Sequence, residues 1–296
     1  MSFQKIFIVG AGAIGSCYGA FLSRKNDVTL IGTRAHVDAV NSHGLMIKGD
    51  IEYKFQVKAE TRISGIPANS LIVLTTKAQD AVKTVTKLKP LMRNDAVFLV
   101  LQNGLAIKEL IQEAIGDQVE VVRGLALMAA EFLEPGKITF WEGSTIIERT
   151  KTGEKIQALF KKSGLKTRLT ADIKKEEWNK LVVNCVINPL SAVLRVRNNE
   201  IDAPSLKEIR HRIVEECSLV AEAEGIRFEH GLETEIDHKI KGYTNYSSMY
   251  QDTEKGKRTE ISFLNAKIVE LGKKHSIKTP VNETLVGLIR FLEAKK

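Results

Sequence analysis

Lys5-Ile-Phe-Ile-Val-Gly10-Ala-Gly-Ala-Ile-Gly15 is the stretch whose reading decides the fold. Five β-prone residues run straight into glycines spaced G-x-G-x-x-G, and an apolar helical pattern continues through Tyr18, Ala20, Phe21 and Leu22. A second β-rich run follows at 28–31. Strand, glycine loop, helix and strand thus fit one unit of about thirty residues, which turns a weak motif into a dinucleotide-binding fingerprint. Each glycine has its own task. Gly10 permits the tight turn, Gly12 lets the backbone approach a pyrophosphate, and Gly15 lets the helix pack on the strand. Ala11, Ala13 and Ile14 complete the loop, and the free N–H groups of the helix start are offered to the phosphates.

Working outward, the second strand ends Ile31-Gly32-Thr33-Arg34. An NAD site carries Asp or Glu here to bind the ribose 2′-hydroxyl. Without that acid nothing repels a 2′-phosphate, and Arg34 supplies a planar charged fork for it, so NADP is the expected cofactor. The hydrophilic stretch 49–61 reads as a small strand excursion. Runs at 71–75 and 96–101 read as buried strands, followed by Thr76-Lys77 and Gln102-Asn103-Gly104. In an open parallel sheet, ligands bind beyond the carboxyl ends of the strands. The glycine loop, Arg34, Lys77 and Asn103 all fall at such ends. Strand-like runs at 119–122, 138–141 and 145–148 and a helix near 155–162 complete a Rossmann-type domain, residues 1–170.

The chain has 296 residues and a formal net charge of +8. Its basic residues occur singly or in pairs among acids, without interleaved aromatics, so a solvated basic surface is expected and nucleic-acid binding is not. Cys17, Cys185 and Cys217 lie far apart in apolar settings, which fits buried thiols in a reducing compartment. The six histidines are scattered and no metal-ligand spacing is present. Lys5 ahead of an apolar run imitates a leader, but the glycines break that run. No stretch approaches the ~20 apolar residues of a membrane span. A cytoplasmic protein that does not bind membranes is expected.

Beyond about Leu169 the alternation gives way to helices alone, so residues 171–296 read as an all-α domain. Asp172 is an expected N-cap, Ser205-Leu-Lys-Glu208 reads as a capping box, Gly225 as a stop, and Thr279-Pro280 as the opening of the last helix. The polar, aromatic segment from Tyr243 to Glu260 opens into a helix through Ile261, Leu264 and Ile268. Within Glu176-Glu-Trp-Asn-Lys180-Leu-Val-Val-Asn184-Cys-Val-Ile-Asn188-Pro, Lys180, Asn184 and Asn188 stand four apart on an otherwise apolar helix. Each step of four drifts only about 40°, so the three share a strip. Two readings compete: an internal polar network between helices, or a binding and catalytic strip with Lys180 as its active member.

The chain resembles the ketopantoate reductase (2-dehydropantoate 2-reductase) family nearly end to end. The resemblance rests on the glycine loop, Gln102-Asn103-Gly104, the Trp178-to-Pro189 run, and Asn245-Tyr-Ser-Ser248-Met with Asp252 and Lys257-Arg-Thr-Glu260. It implies Lys180 as catalytic lysine and Glu260 as its partner. It places substrate-binding positions on Asn184, Asn188, Asn245, Ser248 and Asn198, with Asn103 shared between substrate and cofactor, and cofactor contacts on Arg34, Lys77, Asn103 and Glu260. It further implies NADPH-dependent reduction of ketopantoate to pantoate, toward pantothenate and coenzyme A, and it leaves a homodimer open. Asn198-Asn199-Glu200 replaces the more usual Asn-Gly-Glu, and the shorter segment after Lys77 leaves Gln79 without a role. The chemistry agrees: hydride comes from the nicotinamide, and a lysine ammonium can stabilise the forming alkoxide and supply its proton. The alternatives are a reductase of another branched 2-keto acid and an NADP-sensing protein without turnover. The second has no need of Lys180 with Glu260.

Overall fold

A computed structural model describes residues 3–229 and 231–295. The chain divides into two compact units, Met1–Gln102 with Ala106–Ile173, and Asn103–Leu105 with Lys174–Lys296.

The first unit is built on an eight-stranded sheet. Strand β1 (Lys5–Val9) leads through the glycine loop to helix α1 (Ala13–Ser23), β2 (Val28–Ile31), α2 (Arg34–His43), β3 (Leu45–Gly49), β4 (Tyr53–Phe55) and β5 (Lys58–Glu60). Then come β6 (Ser70–Leu74), α3 (Ala78–Leu88), β7 (Val97–Val100), α4 (Ile107–Ile115) and β8 (Glu120–Ala126). Strands β9 (Ala129–Glu134), β10 (Lys137–Trp141) and β11 (Thr145–Glu148), helix α5 (Lys151–Lys162) and β12 (Thr167–Thr170) close the unit. The sheet order is β12-β11-β8-β7-β6-β1-β2-β5. From β5 to β8 all pairs are parallel. Counted from the edge, that is the doubly wound Rossmann order, with the switch point at β1. Only β11 runs antiparallel to its neighbour β8.

Four strands form a second sheet, β4-β3-β10-β9, which the sequence reading does not anticipate. The excursion expected at 49–61 divides between the two sheets: β4 pairs with β3, while β5 extends the main sheet beside β2. The second sheet explains why α1 is buried from Gly15 through Leu22. Phe21 of α1 meets Phe55 and Phe140 of that sheet at ring-centroid distances of 5.9 and 5.4 Å. Each such burial is worth roughly 1.5–3 kcal/mol. On the other side, a Cβ on Gly19 would collide with Leu30 of β2. An apolar helix between two sheets has no face to spare for charge.

The second unit, among the described residues, is helical. It contains α6 (Ile173–Leu194), α7 (Lys207–Ala223), α8 (Leu232–Lys241), α9 (Ser248–Glu254), α10 (Asn265–Lys274) and α11 (Pro280–Ala294). Its core joins Leu181, Val182, Cys185 and Val186 of α6 to Ile213 and Cys217 of α7, Ile268 of α10 and Ile289 of α11. Pro280 opens α11, and Gly225, at φ +82°, follows α7 while Ile226 donates back to the Ala221 carbonyl at 2.8 Å. The capping box expected at Ser205 does not form. Pro204 starts a separate 3-10 turn, so α7 begins only at Lys207, and Glu208 pairs with Arg212 instead. The segment from Tyr243 to Glu260 also holds a helix the sequence reading passes over, α9, capped by Ser247, whose Oγ accepts from the Tyr250 N–H at 3.0 Å. All three cysteines are buried and unlinked, and burial pushes the Cys17 thiol up to about 12.

Candidate active site

The glycine loop is pinned at its start: the N–H groups of Gly10 and Ala11 donate to the Ile31 carbonyl at 3.0 and 2.8 Å. Gly10 has φ +105°, and a Cβ there would lie 2.5 Å from the Thr76 nitrogen. A Cβ on Gly15 would strike the Gly10 carbonyl and come within 2.5 Å of the Thr75 hydroxyl. Gly12 is different. Its φ is −81°, open to any residue, and a Cβ would meet nothing of the protein closer than 4.0 Å. Neither backbone nor packing demands glycine there, so the cleared space fits a ligand approaching the chain. Gly12 caps α1 without a side-chain hydrogen bond, and no acid stands in the first turn, where Ala13, Ile14 and Gly15 lie. These N–H groups suit a pyrophosphate.

Arg34 is the first residue of α2, just beyond the end of β2, with its side chain 76% exposed. Two carboxylates lie near that strand end: Asp38, 3.9 Å from Arg34, and Glu60 of the neighbouring β5, 2.7 Å from Lys58. The sequence reading looks only along the second strand for an acid and therefore misses Glu60, which register sets opposite Ile31.

His36, in the first turn of α2, is one of the six scattered histidines, and it is buried. The Gly136 N–H donates to its Nδ1 at 3.1 Å, which leaves the ring proton on Nε2, 3.0 Å from Ser16 Oγ on α1. The neutral ring thereby ties the first turns of both loop-bearing helices to the β9–β10 turn. Burial holds its pKa below the ordinary value. The unfolded chain binds a proton below about pH 6.5 that the folded ring resists, so this contribution is complete above that pH and is lost as pH falls toward the folded value. Urea unfolding at a series of pH values is expected to show the parent losing stability faster than His36→Gln below about pH 6.5. Parallel slopes would remove His36 from the account of acid sensitivity.

Lys77 follows β6 as the residue preceding α3 and is half-buried, as is Gln79. Beside it, Gln102 at the end of β7 is buried, its Nε2 donating to Thr76 Oγ1 at 3.3 Å. Arg123 of β8, 1% exposed, holds this strand end: its guanidinium donates to the carbonyls of Val100, Gln102 and Gly124 at 2.9, 2.9 and 2.7 Å. Its own N–H donates to Glu148 Oε1 at 2.9 Å, and the same carboxylate is bound by Lys108. The sequence reading passes over Arg123. The signal was there, a single charge inside the apolar run Val-Val-Arg-Gly-Leu-Ala.

Asn103, Gly104 and Leu105 belong to the helical unit. Gly104, at φ +105°, packs so closely that a Cβ would sit 2.9 Å from Cβ of Phe263. Asn103 Nδ2 donates to Glu260 Oε2 at 3.0 Å, and Glu260 is 5% exposed. The structure thus joins two of the expected residues that lie 157 positions apart.

On α6, Lys180 and Asn184 are half-buried and Asn188 is buried. Among the described residues the carboxamides of Asn184 and Asn188 have no hydrogen-bond partner. An internal network would pair them. One turn on, Ser191 donates to Ser247 Oγ at 2.7 Å, which fixes the start of α9 and with it Ser248. The Asn198 N–H donates to the Asn245 carbonyl at 3.1 Å, so these two segments lie side by side; Asn245 Nδ2 turns back to the Tyr246 carbonyl. Asn198 Oδ1 is buried without a partner among the described residues. The loop, Arg34 and Lys77 belong to the first unit; Lys180, Glu260 and the five asparagines 103, 184, 188, 198 and 245 belong to the second. Among the described residues no cluster could hold a metal ion, and no helix is long and apolar enough to cross a membrane.

A Rossmann-type sheet with a cleared glycine loop, followed by a helical unit carrying a polar strip, defines a dinucleotide-dependent oxidoreductase. Residues 6–152 match the family described as ketopantoate reductase PanE/ApbA, and residues 172–293 match its C-terminal counterpart. The 2-dehydropantoate 2-reductase of Pyrococcus horikoshii is 37% identical over 98% of both chains. A PanE/ApbA family ketopantoate reductase from Ralstonia eutropha superposes with a TM-score of 0.91 at 29% identity, covering 98% of this chain and 99% of that one. D-mandelate dehydrogenase, in a ternary structure with NADH and anilino(oxo)acetate, gives 0.85 at 26% identity over 98% of each. The chain belongs to the ketopantoate reductase family.

Proposed function

We propose that this protein reduces 2-dehydropantoate to pantoate with NADPH, on the way to pantothenate and coenzyme A. The observation that carries the reading is the strip on α6: Asn184 and Asn188 hold unpaired carboxamides in line with Lys180 on a helix otherwise given to the core. When bound, the dinucleotide supplies the hydride. The glycine loop from Gly10 to Gly15, Arg34 and Lys77 would hold its phosphates, and Asn103 and Glu260 are the further cofactor contacts that the family resemblance implies. Asn184, Asn188, Asn198, Asn245 and Ser248 hold the keto acid through neutral donors. Lys180 Nζ stabilises the oxygen as charge develops and gives it the proton, and Glu260, buried and fixed by Asn103, orients the ammonium. The test is NADPH oxidation with ketopantoate beside a panel of other branched and aryl 2-keto acids. Faster turnover of another acid would favour the wider substrate reading, toward which D-mandelate dehydrogenase points. Tight NADPH binding with no turnover of any acid would favour a sensor.

Preference for NADPH rests on Arg34: Lys58 holds Glu60 at 2.7 Å, and the 3.9 Å contact of Arg34 with Asp38 is one that a 2′-phosphate would replace. Charge-assisted hydrogen bonds contribute about 1.5–3 kcal/mol, so Arg34→Ala is expected to raise the KM for NADPH roughly ten- to a hundredfold and that for NADH little. Equal shifts for both cofactors would show that Arg34 does not read the 2′-phosphate.

A further inference from the structure

Pro189 lies inside α6. It has no N–H, so the Cys185 carbonyl lacks its helical donor, and the proline ring crowds that carbonyl as well. The gap falls within the polar strip, between Asn184 and Asn188. A side chain from another helix fills it: Asn265 Nδ2, at the start of α10, donates to the Cys185 carbonyl at 2.9 Å. The same nitrogen donates to Asn282 Oδ1 at 2.9 Å, and Asn282 Nδ2 donates to Glu216 Oε2 at 2.7 Å. Glu216, on α7, also accepts the N–H groups of Val281 and Asn282 in the first turn of α11, at 2.8 and 3.0 Å. Asn265 and Asn282 are fully buried and Glu216 is 6% exposed.

The orientation of every amide in this chain is forced. A carboxylate only accepts, so Asn282 presents its nitrogen to Glu216 and its oxygen to Asn265. Asn265 must then present its nitrogen, which is what the Cys185 carbonyl requires. Four helices, α6, α7, α10 and α11, are locked in one direction of donation. Asn265 also stands five residues after Glu260, with one 3-10 turn between them, in which the Phe263 N–H donates to the Glu260 carbonyl at 2.9 Å. One short segment therefore carries Glu260 at one end and the anchor of α6 at the other.

Building on the proposed function, we propose that Asn265 is a positioning residue: through the carbonyl freed by Pro189 it sets the polar strip of α6 relative to Glu260. The experiment compares Asn265→Leu and the milder Asn265→Ser with the same changes made in a Pro189→Ala background. Alanine at 189 returns an N–H to the Cys185 carbonyl, so the double variants should recover the thermal midpoint lost in the single ones. The keto-acid KM should stay at least tenfold above the parent in both backgrounds, while NADPH affinity holds within twofold. Recovery of KM together with the midpoint would reduce Asn265 to satisfying an orphan carbonyl and overturn the proposal. A crystal structure of Asn265→Ser gives a reading that does not depend on turnover: Asn184 and Asn188 are expected to shift against Glu260, and unchanged positions would overturn the proposal. A parent inactive on every keto acid would sink the substrate assignment alone, leaving the crystallographic result to decide the role of Asn265.

Discussion

Lys180→Ala is expected to lower kcat about 10²- to 10⁴-fold, the usual contribution of a positioned acid. Cofactor affinity should hold within about twofold, because the glycine loop and Arg34 belong to the other compact unit. Lys180→Met keeps most of the bulk and removes the charge, so the two variants separate packing from proton supply. Both should keep the parental thermal midpoint, since the side chain is only half-buried. Stopped-flow or steady-state kinetics beside a melting curve decides the matter. An early-melting variant that still reduces ketopantoate at the parental rate would return α6 to the role of a structural helix.

Arg123→Met should be the most damaging single change to stability in the first unit. The substitution fits the space of the aliphatic stem, but it leaves the carbonyls of Val100, Gln102 and Gly124 without their buried donor. Leaving a buried acceptor without its donor costs roughly 1–3 kcal/mol each time. Urea unfolding would measure it, and a loss below about 1 kcal/mol would mean the carbonyls find other donors.

The first half of this fold was legible where the physics is local. A glycine loop between two apolar strands admits few conformations, and the carboxyl ends of buried strands follow directly from where the apolar runs stop. The strip on α6 was legible for a similar reason: three polar residues at helical spacing stand out on an apolar background. What stayed hidden depends on partners far along the chain. β9 shows half-buried and exposed residues in place of a core run, because it is an edge of the second sheet. Ser205 carries the letters of a cap, yet Pro204 claims those residues for its own turn. Arg123 looked like an interruption because its acceptors are main-chain carbonyls, which leave no mark in a sequence. The resemblance named Asn103 and Glu260 as separate site positions, but their hydrogen bond to each other emerges only from the fold, since no periodicity links positions so distant.

The three residues Asn103, Gly104 and Leu105 have a bearing on how such a protein can be inherited. They are encoded among the strands and helices of the first unit but fold with the second, where Gly104 fits against Phe263 and Asn103 holds Glu260. The two halves are consequently not interchangeable cassettes. A recombination that joined a foreign helical half at residue 173 would deliver a glutamate whose asparagine partner, 157 positions before it, is still specified by the other parent. Such a chimera works only when both parents agree on this tripeptide, so the loop and the helical half are expected to be inherited together or changed together.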